Sequence, residues 1–158
     1  MTGIKKYKSL DDFIKRCNLK DFVSDGYGYL YVIEYGSKTK IGCTTHIITR
    51  LATHERNARV YANTNIGRIA VSPLLPHIYR YENLLHLAFA HKRLSARGEV
   101  FDISFEDGVE GLRGLNSRLP EDPDQLCFEF RKRHKNKHRS GENRKLRNFL
   151  KELFPEGN

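Results

Sequence analysis

The sequence predicts a mixed α/β fold of the α+β kind, in which a small three-stranded antiparallel sheet is flanked by helices. An aromatic segment, residues 28–35, is followed across Gly36-Ser37 by a second extended segment, residues 38–43, and this is the pattern of a β-hairpin. Residues 78–94 repeat apolar side chains at helical spacing. The chain has 158 residues, of which 39% are hydrophobic, so we expect one main domain with its own core.

The segment before the hairpin predicts a short helix. Ser9 is followed three residues later by Asp12, and an acidic residue at this distance from a serine is typical of a helix start. Asp25-Gly26 then breaks the chain before the aromatic strand. We therefore predict that residues 1–26 form a helical lead-in.

The segments after the hairpin predict three helices and a third strand. The spacing of Ile47, Leu51 and Ala58 places all three on one helix face, and Pro73 ends an apolar strand. The predicted elements, in order, are a helix over 45–58, a strand over 66–72, a helix over 78–94, an extended segment over 99–103 and a helix over 105–112. Together with the hairpin they form a domain that we place at residues 27–119.

Composition excludes several classes of protein. No apolar run approaches the roughly 18–20 residues that a membrane helix needs, so we expect no membrane partner. Cys17, Cys43 and Cys127 are odd in number and form no CxxC pair, which indicates reduced thiols rather than a disulfide framework or a zinc cluster. We expect an intracellular protein that is cytoplasmic or nucleoid-associated, or one that acts in a host cell if the chain is virus-encoded.

Positive charge is concentrated near the C-terminus. The formal net charge is +9, but residues 1–128 carry only +3, whereas residues 129–151 carry +8. Such a block binds phosphate without reading bases, and the alternative is a solvated tail. We predict that residues 120–158 are a basic helical extension that holds DNA. Its proposed DNA-binding residues are Arg131, Lys132, Arg133, Lys135, Lys137, Arg139, Arg144, Lys145 and Arg147.

The two-residue turn fixes the register of the hairpin. It places Tyr31 opposite Gly42 and Ile33 opposite Lys40. One face of the hairpin then carries Leu30, Val32, Ile41 and Cys43, and the other carries Tyr29, Tyr31, Ile33 and Lys40. Glycine at position 42 is expected to leave open space above the ring of Tyr31.

The pairing of a lysine with a tyrosine-rich face is less ordinary than simple strand packing. An ammonium group near a phenol favours the phenolate form, so Lys40 is expected to lower the pKa of Tyr31. A tyrosine tuned in this way takes a proton from water.

The hairpin resembles the signatures of the GIY-YIG nuclease superfamily. Tyr29-Leu30-Tyr31 stands where the family has its first signature, and Lys40-Ile41-Gly42 stands where it has the second. The spacing between them fits the tight hairpin of the family. Lys40 departs from the pattern, because the second signature normally supplies a tyrosine.

The resemblance continues after the hairpin and covers residues 27–104. Arg50 lies eight residues after Gly42, where the family has its catalytic arginine, and His54 lies one turn later, where many members carry a histidine. Glu82 heads the next long helix, where the family has its metal-binding glutamate. Residues 98–101, Gly-Glu-Val-Phe, resemble the short phage and large-virus branch.

The resemblance implies metal-assisted hydrolysis of a DNA phosphodiester. Glu82 would hold one Mg²⁺ or Mn²⁺, with waters and phosphate oxygens as further ligands. Tyr31 would accept a proton from the attacking water, and Lys40 would orient that water or hold the phenolate. Arg50 would brace the charge on phosphorus. Which of Tyr31 and Lys40 is the proximate base stays open.

Other roles also stay open. Tyr29, from the first signature, is the sixth residue that the resemblance assigns to the catalytic site, and His54 would donate to phosphate or hold Tyr29. Glu82 flanks the apolar stripe of its helix, so its carboxylate needs a partner, and an ion pair with Arg80 or Arg50 is the structural alternative to a metal.

Double-stranded DNA is the expected partner, and a homodimer in which two sites cooperate is an open alternative. Two other functions compete with the nuclease. One is a catalytically silent nucleic-acid-binding module on the same fold, and the other is a basic protein that binds RNA.

Overall fold

The computed structural model describes residues 3–19 and 27–117. The predicted basic extension, with all of its proposed DNA-binding residues, lies outside the described residues. The elements of the described part, in chain order, are β1 (Lys5–Tyr7), α1 (Leu10–Arg16), β2 (Tyr29–Tyr35), β3 (Lys38–Thr44), α2 (Ile47–Ala62), β4 (Ile69–Val71), α3 (Ile78–Ala88), β5 (Val100–Phe101) and α4 (Phe105–Ser117). This architecture confirms the predicted α+β class.

The sheet has the strand order β1-β4-β2-β3-β5, and neighbouring strands are antiparallel. The prediction of three strands was wrong, because β1 and β5 each add a strand at one edge. These strands have three and two residues, which is too short to show an alternating pattern. The predicted helical lead-in therefore contains a strand as well as a helix.

The predicted register of the central hairpin is confirmed. Tyr31 lies opposite Gly42, and Ile33 lies opposite Lys40. Gly36 has a φ of 59°, which is the left-handed conformation that a two-residue hairpin turn requires. The predicted division of the hairpin side chains between two faces is also confirmed, because the apolar side chains of each face belong to a separate cluster.

Helices cover both faces of the sheet. Under α3 and α4, the first cluster includes Leu30, Val32, Ile41 and Cys43 of the hairpin. Under α1 and α2, the second includes Tyr29, Tyr31 and Ile33, together with Phe13, Ile47 and Leu51. The candidate site residues of the hairpin therefore lie on the face that α2 covers.

The first two helices are held by side chains at their ends. Ser9 caps α1 as predicted, because its hydroxyl accepts a hydrogen bond from the amide of Asp12 at 3.2 Å. The second helix ends at Ala62, four residues later than predicted, and its C-cap residue Asn63 has a φ of 46°. Glu55, which is buried in α2, accepts hydrogen bonds from the amide of Ile66 and from Arg59, and it ties the following loop to the helix.

The last two helices differ from the prediction in opposite directions. The third helix ends at Ala88, earlier than predicted, because a 3-10 turn over Ala90–Lys92 leads into an extended segment. The fourth is longer than predicted and starts with reciprocal bonds: Ser104 accepts from the amide of Asp107, and Asp107 accepts from the amide and hydroxyl of Ser104. In residues 3–19 and 27–117, no helix is long and apolar enough to span a membrane.

Candidate active site

The centre of the candidate site is a hydrogen bond between β2 and α2. The hydroxyl of Tyr31 lies 2.9 Å from Nε2 of His54. His54 was expected to donate to phosphate or to hold Tyr29, but the structure pairs it with Tyr31. Four residues separate Arg50 from His54, so both lie on the same side of α2.

Both members of this pair are neutral near pH 7. Burial lowers the pKa of His54 to about 4, and the positive charges of Lys40 and Arg50 act in the same direction. A neutral imidazole can accept the hydroxyl proton of Tyr31 at Nε2. The pair is therefore arranged for the hydroxyl of Tyr31 to donate a hydrogen bond to His54.

The predicted decrease in the pKa of Tyr31 is wrong. Burial raises the pKa of Tyr31 above its ordinary value, and the nearby positive charge of Arg50 offsets only part of this effect. Tyr31 has no exposed surface, so its phenolate form would be poorly solvated. The sequence prediction considered the charge of Lys40 and not the burial of the ring.

Lys40 is already paired. Its Nζ lies 2.5 Å from a carboxylate oxygen of Glu99, and 14% of the lysine side chain is exposed. Burial opposes ionisation of Glu99, but the hydrogen bond and charge of Lys40 outweigh it and hold the pKa of that carboxyl below its usual range. Glu99 was not among the predicted catalytic residues; the sequence indicated either support of the site or the cap of a strand, and the ion pair with Lys40 fits the first role.

Gly42 makes room for the ring of Tyr31 rather than for a ligand. A Cβ at position 42 would overlap the hydroxyl and the ring of Tyr31. The open space that the sequence predicted above this glycine is therefore filled by Tyr31. Glycine at this position is required because the two residues lie directly opposite each other in the hairpin.

Glu82 reaches the site from the other layer. It lies half-buried on α3, and the thiol of Cys43 donates a hydrogen bond to its carboxylate. Burial raises the pKa of Cys43, and the negative charge of Glu82 adds to the increase. An ion pair with Arg80 or Arg50 was the predicted alternative to a metal at Glu82, and the contact with Cys43 was not predicted.

The open part of β3 lets groups from the two layers meet. Within the described residues, β5 pairs only with Thr39 and Lys40, so the second half of β3 has no strand on that side. Glu82 lies close enough to Tyr31 to raise the pKa of the phenol, although the two side chains start on opposite faces.

His86 fixes α3 against β3, and it was not among the predicted site residues. Its Nε2 donates a hydrogen bond to the carbonyl of Ile41 at 2.8 Å, and its ring packs against Phe101 at 5.2 Å between centroids. His86 lies one turn after Glu82, so this contact sets the position of Glu82 along the strand.

Five of the six predicted catalytic residues lie in one electrostatic neighbourhood. The five are Tyr31, Lys40, Arg50, His54 and Glu82. Arg50 is exposed, and its charge acts on Tyr31, Cys43, His54 and Glu99. Tyr29 is buried with Tyr7 and Phe13 and borders a different cavity of about 180 Å³, near Lys5 and Ser72.

The donors around Glu82 fit a hard cation only in part. In the described residues, no group of three or more His, Cys, Asp or Glu side chains could hold a metal ion. Glu82 contributes one carboxylate, while Glu99 is bound to Lys40. A Mg²⁺ or Mn²⁺ held by one protein carboxylate, with waters and phosphate oxygens as its other ligands, is consistent with this arrangement.

Comparison with known proteins identifies a family. Residues 28–116, which are more than half of the chain and run from β2 to the last turn of α4, match the T5orf172 domain. No curated protein and no solved structure matches the chain. The chain therefore belongs to the T5orf172 domain family, a phage-associated family of nuclease-like domains.

Proposed function

We propose that the chain is a metal-dependent endonuclease that hydrolyses DNA phosphodiester bonds with a one-metal site of the GIY-YIG type. The observation that carries the proposal is the buried hydrogen bond between Tyr31 and His54, with Arg50, Lys40 and Glu82 around it. Membership of a nuclease-like family supports it. Double-stranded DNA inside a cell is the proposed substrate.

The chain's own residues would perform the proton transfer. Tyr31 would take a proton from the attacking water as it passes its own hydroxyl proton to Nε2 of His54, so no free phenolate has to form. The raised pKa of Tyr31 and the lowered pKa of His54 mean that the phenol holds its proton and the imidazole is neutral before the reaction, which are the protonation states that the relay starts from.

The charged residues would bind and orient the substrate. Arg50, the exposed cation of the site, would contact the oxygens of the scissile phosphate through its planar guanidinium. Lys40 would orient the water from its fixed position beside Glu99. Glu82 would hold the Mg²⁺ or Mn²⁺, and the bound cation would supply charge stabilisation to the phosphate and the leaving oxygen.

A second candidate function is a silent DNA-binding module on the same fold. One observation favours it: Tyr31 has no exposed surface, and a residue that takes a proton from water must be reachable by that water. In this case Tyr31 and His54 would serve only as a buried structural pair.

The experiment that separates the two candidates is cleavage of a supercoiled plasmid by the full chain with Mg²⁺ or Mn²⁺, with and without a chelator. The nuclease predicts nicked or linear DNA that the chelator abolishes. The binding module predicts retention of DNA that weakens with salt and no cleavage in any condition.

Matched variants test the proposed residues. Glu82→Ala and Arg50→Ala are expected to abolish cleavage. Glu110→Ala and Arg113→Ala remove the same charges from exposed positions of α4 and should leave cleavage unchanged. Circular dichroism shows whether each variant is folded. Cleavage at the parental rate by folded Glu82→Ala and Arg50→Ala variants would contradict the proposed site.

A further inference from the structure

A small ribbon extends the sheet beyond β5. Residues 92–94 run antiparallel to residues 100–102, with the amide of Leu94 donating to the carbonyl of Val100 at 3.1 Å and that of Asp102 donating to the carbonyl of Lys92 at 2.7 Å. The amide of Gly98 donates to the carbonyl of Ser95 at 3.1 Å and closes the turn. We call residues 92–102 the edge ribbon.

One face of the edge ribbon continues the face that carries Tyr31 and Lys40. Val100 is the β5 partner of Lys40, and Leu94 lies opposite Val100. Side chains on paired residues share a face, and alternate residues along a strand do as well. Leu94 therefore points to the same side of the sheet as Lys40, and Lys92, the last residue of the 3-10 turn, lies opposite Asp102.

This part of the face has no helix over it among the described residues. The apolar cluster under α1 and α2 contains residues of β2 and β4 but none of the edge ribbon. Leu94 is 53% exposed, and Val100 is half-buried. Arg93 points to the opposite side, where its guanidinium lies 5.5 Å from the ring centroid of Phe101.

The exposed charge of the edge ribbon is positive. Lys92 and Arg97 are exposed and form no ion pair with another described residue, and Arg97 lies in the turn. The two carboxylates of the ribbon are already bound, Glu99 to Lys40 and Asp102 to Lys38 at 2.6 Å. The exposed cations Lys92 and Arg97 therefore flank Leu94 along the chain, and the charge of Lys92 also helps to lower the pKa of Asp102.

We propose that the edge ribbon binds the minor groove of duplex DNA beside the scissile phosphate, through Lys92, Leu94, Arg97 and Val100. This proposal rests on the proposed function. The sugars that line this groove suit Leu94 and Val100, and the two cations reach phosphates on its borders. Strands of a sheet enter either groove in known complexes. The major groove fits less well. Side chains that read its base edges do so by hydrogen bonds, and the carboxylates of the edge ribbon are already bound to lysines.

The test is binding of a short duplex by the full chain in a chelator, where no cleavage occurs. Arg97→Ala is expected to weaken binding about three- to tenfold and to reduce the slope of log affinity against log salt by about one. Arg113→Ala on α4, which removes the same charge, is the matched control and should change neither quantity.

Methylation interference identifies the groove. A methyl group on N3 of adenine lies in the minor groove, and one on N7 of guanine lies in the major groove. We expect interference at adenine N3 with the parental chain and its loss in the Leu94→Ser variant. Interference at guanine N7 alone, or binding by Arg97→Ala and Leu94→Ser that equals binding by Arg113→Ala, would overturn the proposal.

The outcomes separate this proposal from the nuclease. If the chain cleaves DNA with a metal but the ribbon variants bind DNA normally, the nuclease proposal is supported and the minor-groove proposal is contradicted. If methylation of adenine N3 interferes with binding but the chain never cleaves DNA, the minor-groove proposal is supported and the function is that of the silent binding module.

Discussion

The hydroxyl of Tyr31 and Nε2 of His54 lie 2.9 Å apart in the interior, and each group has a pKa that keeps it neutral near pH 7. A hydrogen bond between two neutral buried groups differs from the lysine-activated phenolate that the sequence predicted. It also makes the stability of the hairpin–α2 contact depend on the same two atoms that the proposed chemistry uses. The following predictions rest on this pair and its surroundings.

Removal of the Tyr31 hydroxyl should affect both stability and cleavage. In Tyr31→Phe, Nε2 of His54 loses its partner in a buried position, so we expect a decrease of about 1–3 kcal/mol in the free energy of unfolding, measured with urea. Cleavage should be lost. The double variant Tyr31→Phe/His54→Leu should recover part of the stability but none of the cleavage, because no buried polar group is then left unpaired. Parental cleavage by Tyr31→Phe would refute the relay.

Gly42→Ala should destabilise the fold by about 1–3 kcal/mol, because its Cβ would overlap the ring of Tyr31 and displace it from His54. Urea unfolding measures the change. Gly3→Ala is the matched control, since a Cβ at that position would have no atom within 4 Å and should have almost no effect. Equal stability of the two variants would show that Tyr31 does not pack against Gly42.

The Lys40–Glu99 ion pair should show a measurable coupling energy. The lysine side chain is 14% exposed and that of Glu99 38%, so solvent screens the pair only in part, and we expect about 1 kcal/mol from a double-mutant cycle with Lys40→Met and Glu99→Gln. The Lys38–Asp102 pair is more exposed and is the control, with a smaller expected coupling. A coupling at Lys40–Glu99 no larger than the control would contradict the fixed position of Lys40.

The stability of the chain should fall in mild acid because of His54. Its pKa is about 4 in the folded state against an ordinary value of 6.5, so the unfolded chain binds a proton more readily. This contribution is complete above pH 6.5 and is lost as the pH falls towards 4, which amounts to about 3 kcal/mol. Urea unfolding between pH 7 and pH 4 should show a smaller decrease for His54→Gln, which cannot titrate. The same decrease in both proteins would show that His54 is not the cause.

The register of the hairpin was predictable because a two-residue turn leaves little freedom, and the faces of β2 and β3 follow from it. Tyr31, Lys40, Arg50 and His54 lie within 24 consecutive residues, and local structure brings them together. Only the family resemblance indicated Glu82, which belongs to a separate layer of the fold.

Contacts between distant segments could not be predicted. Glu99 lies 59 residues after Lys40, directly before a strand of only two residues, and the sequence around it does not indicate which side chain it pairs with. The prediction of a lowered pKa for Tyr31 was wrong for the same reason. The pKa depends on how deeply the ring is buried, and the burial depends on helices whose positions the sequence does not indicate. The predicted C-terminal end of α3 was wrong because residues 92–94 form backbone hydrogen bonds with residues 100–102. These bonds outweigh the helical spacing of the apolar side chains.

The position of β1 has a consequence for any shortened form of the chain. Lys5, Lys6 and Tyr7 pair with Val71, Ala70 and Ile69, and β4 is otherwise joined to β2 alone. A protein that began after Tyr7 would present the unpaired backbone of an Ile-Ala-Val strand to solvent. Such an edge invites a second molecule to add its own strand, so loss of these few residues would favour self-association and precipitation.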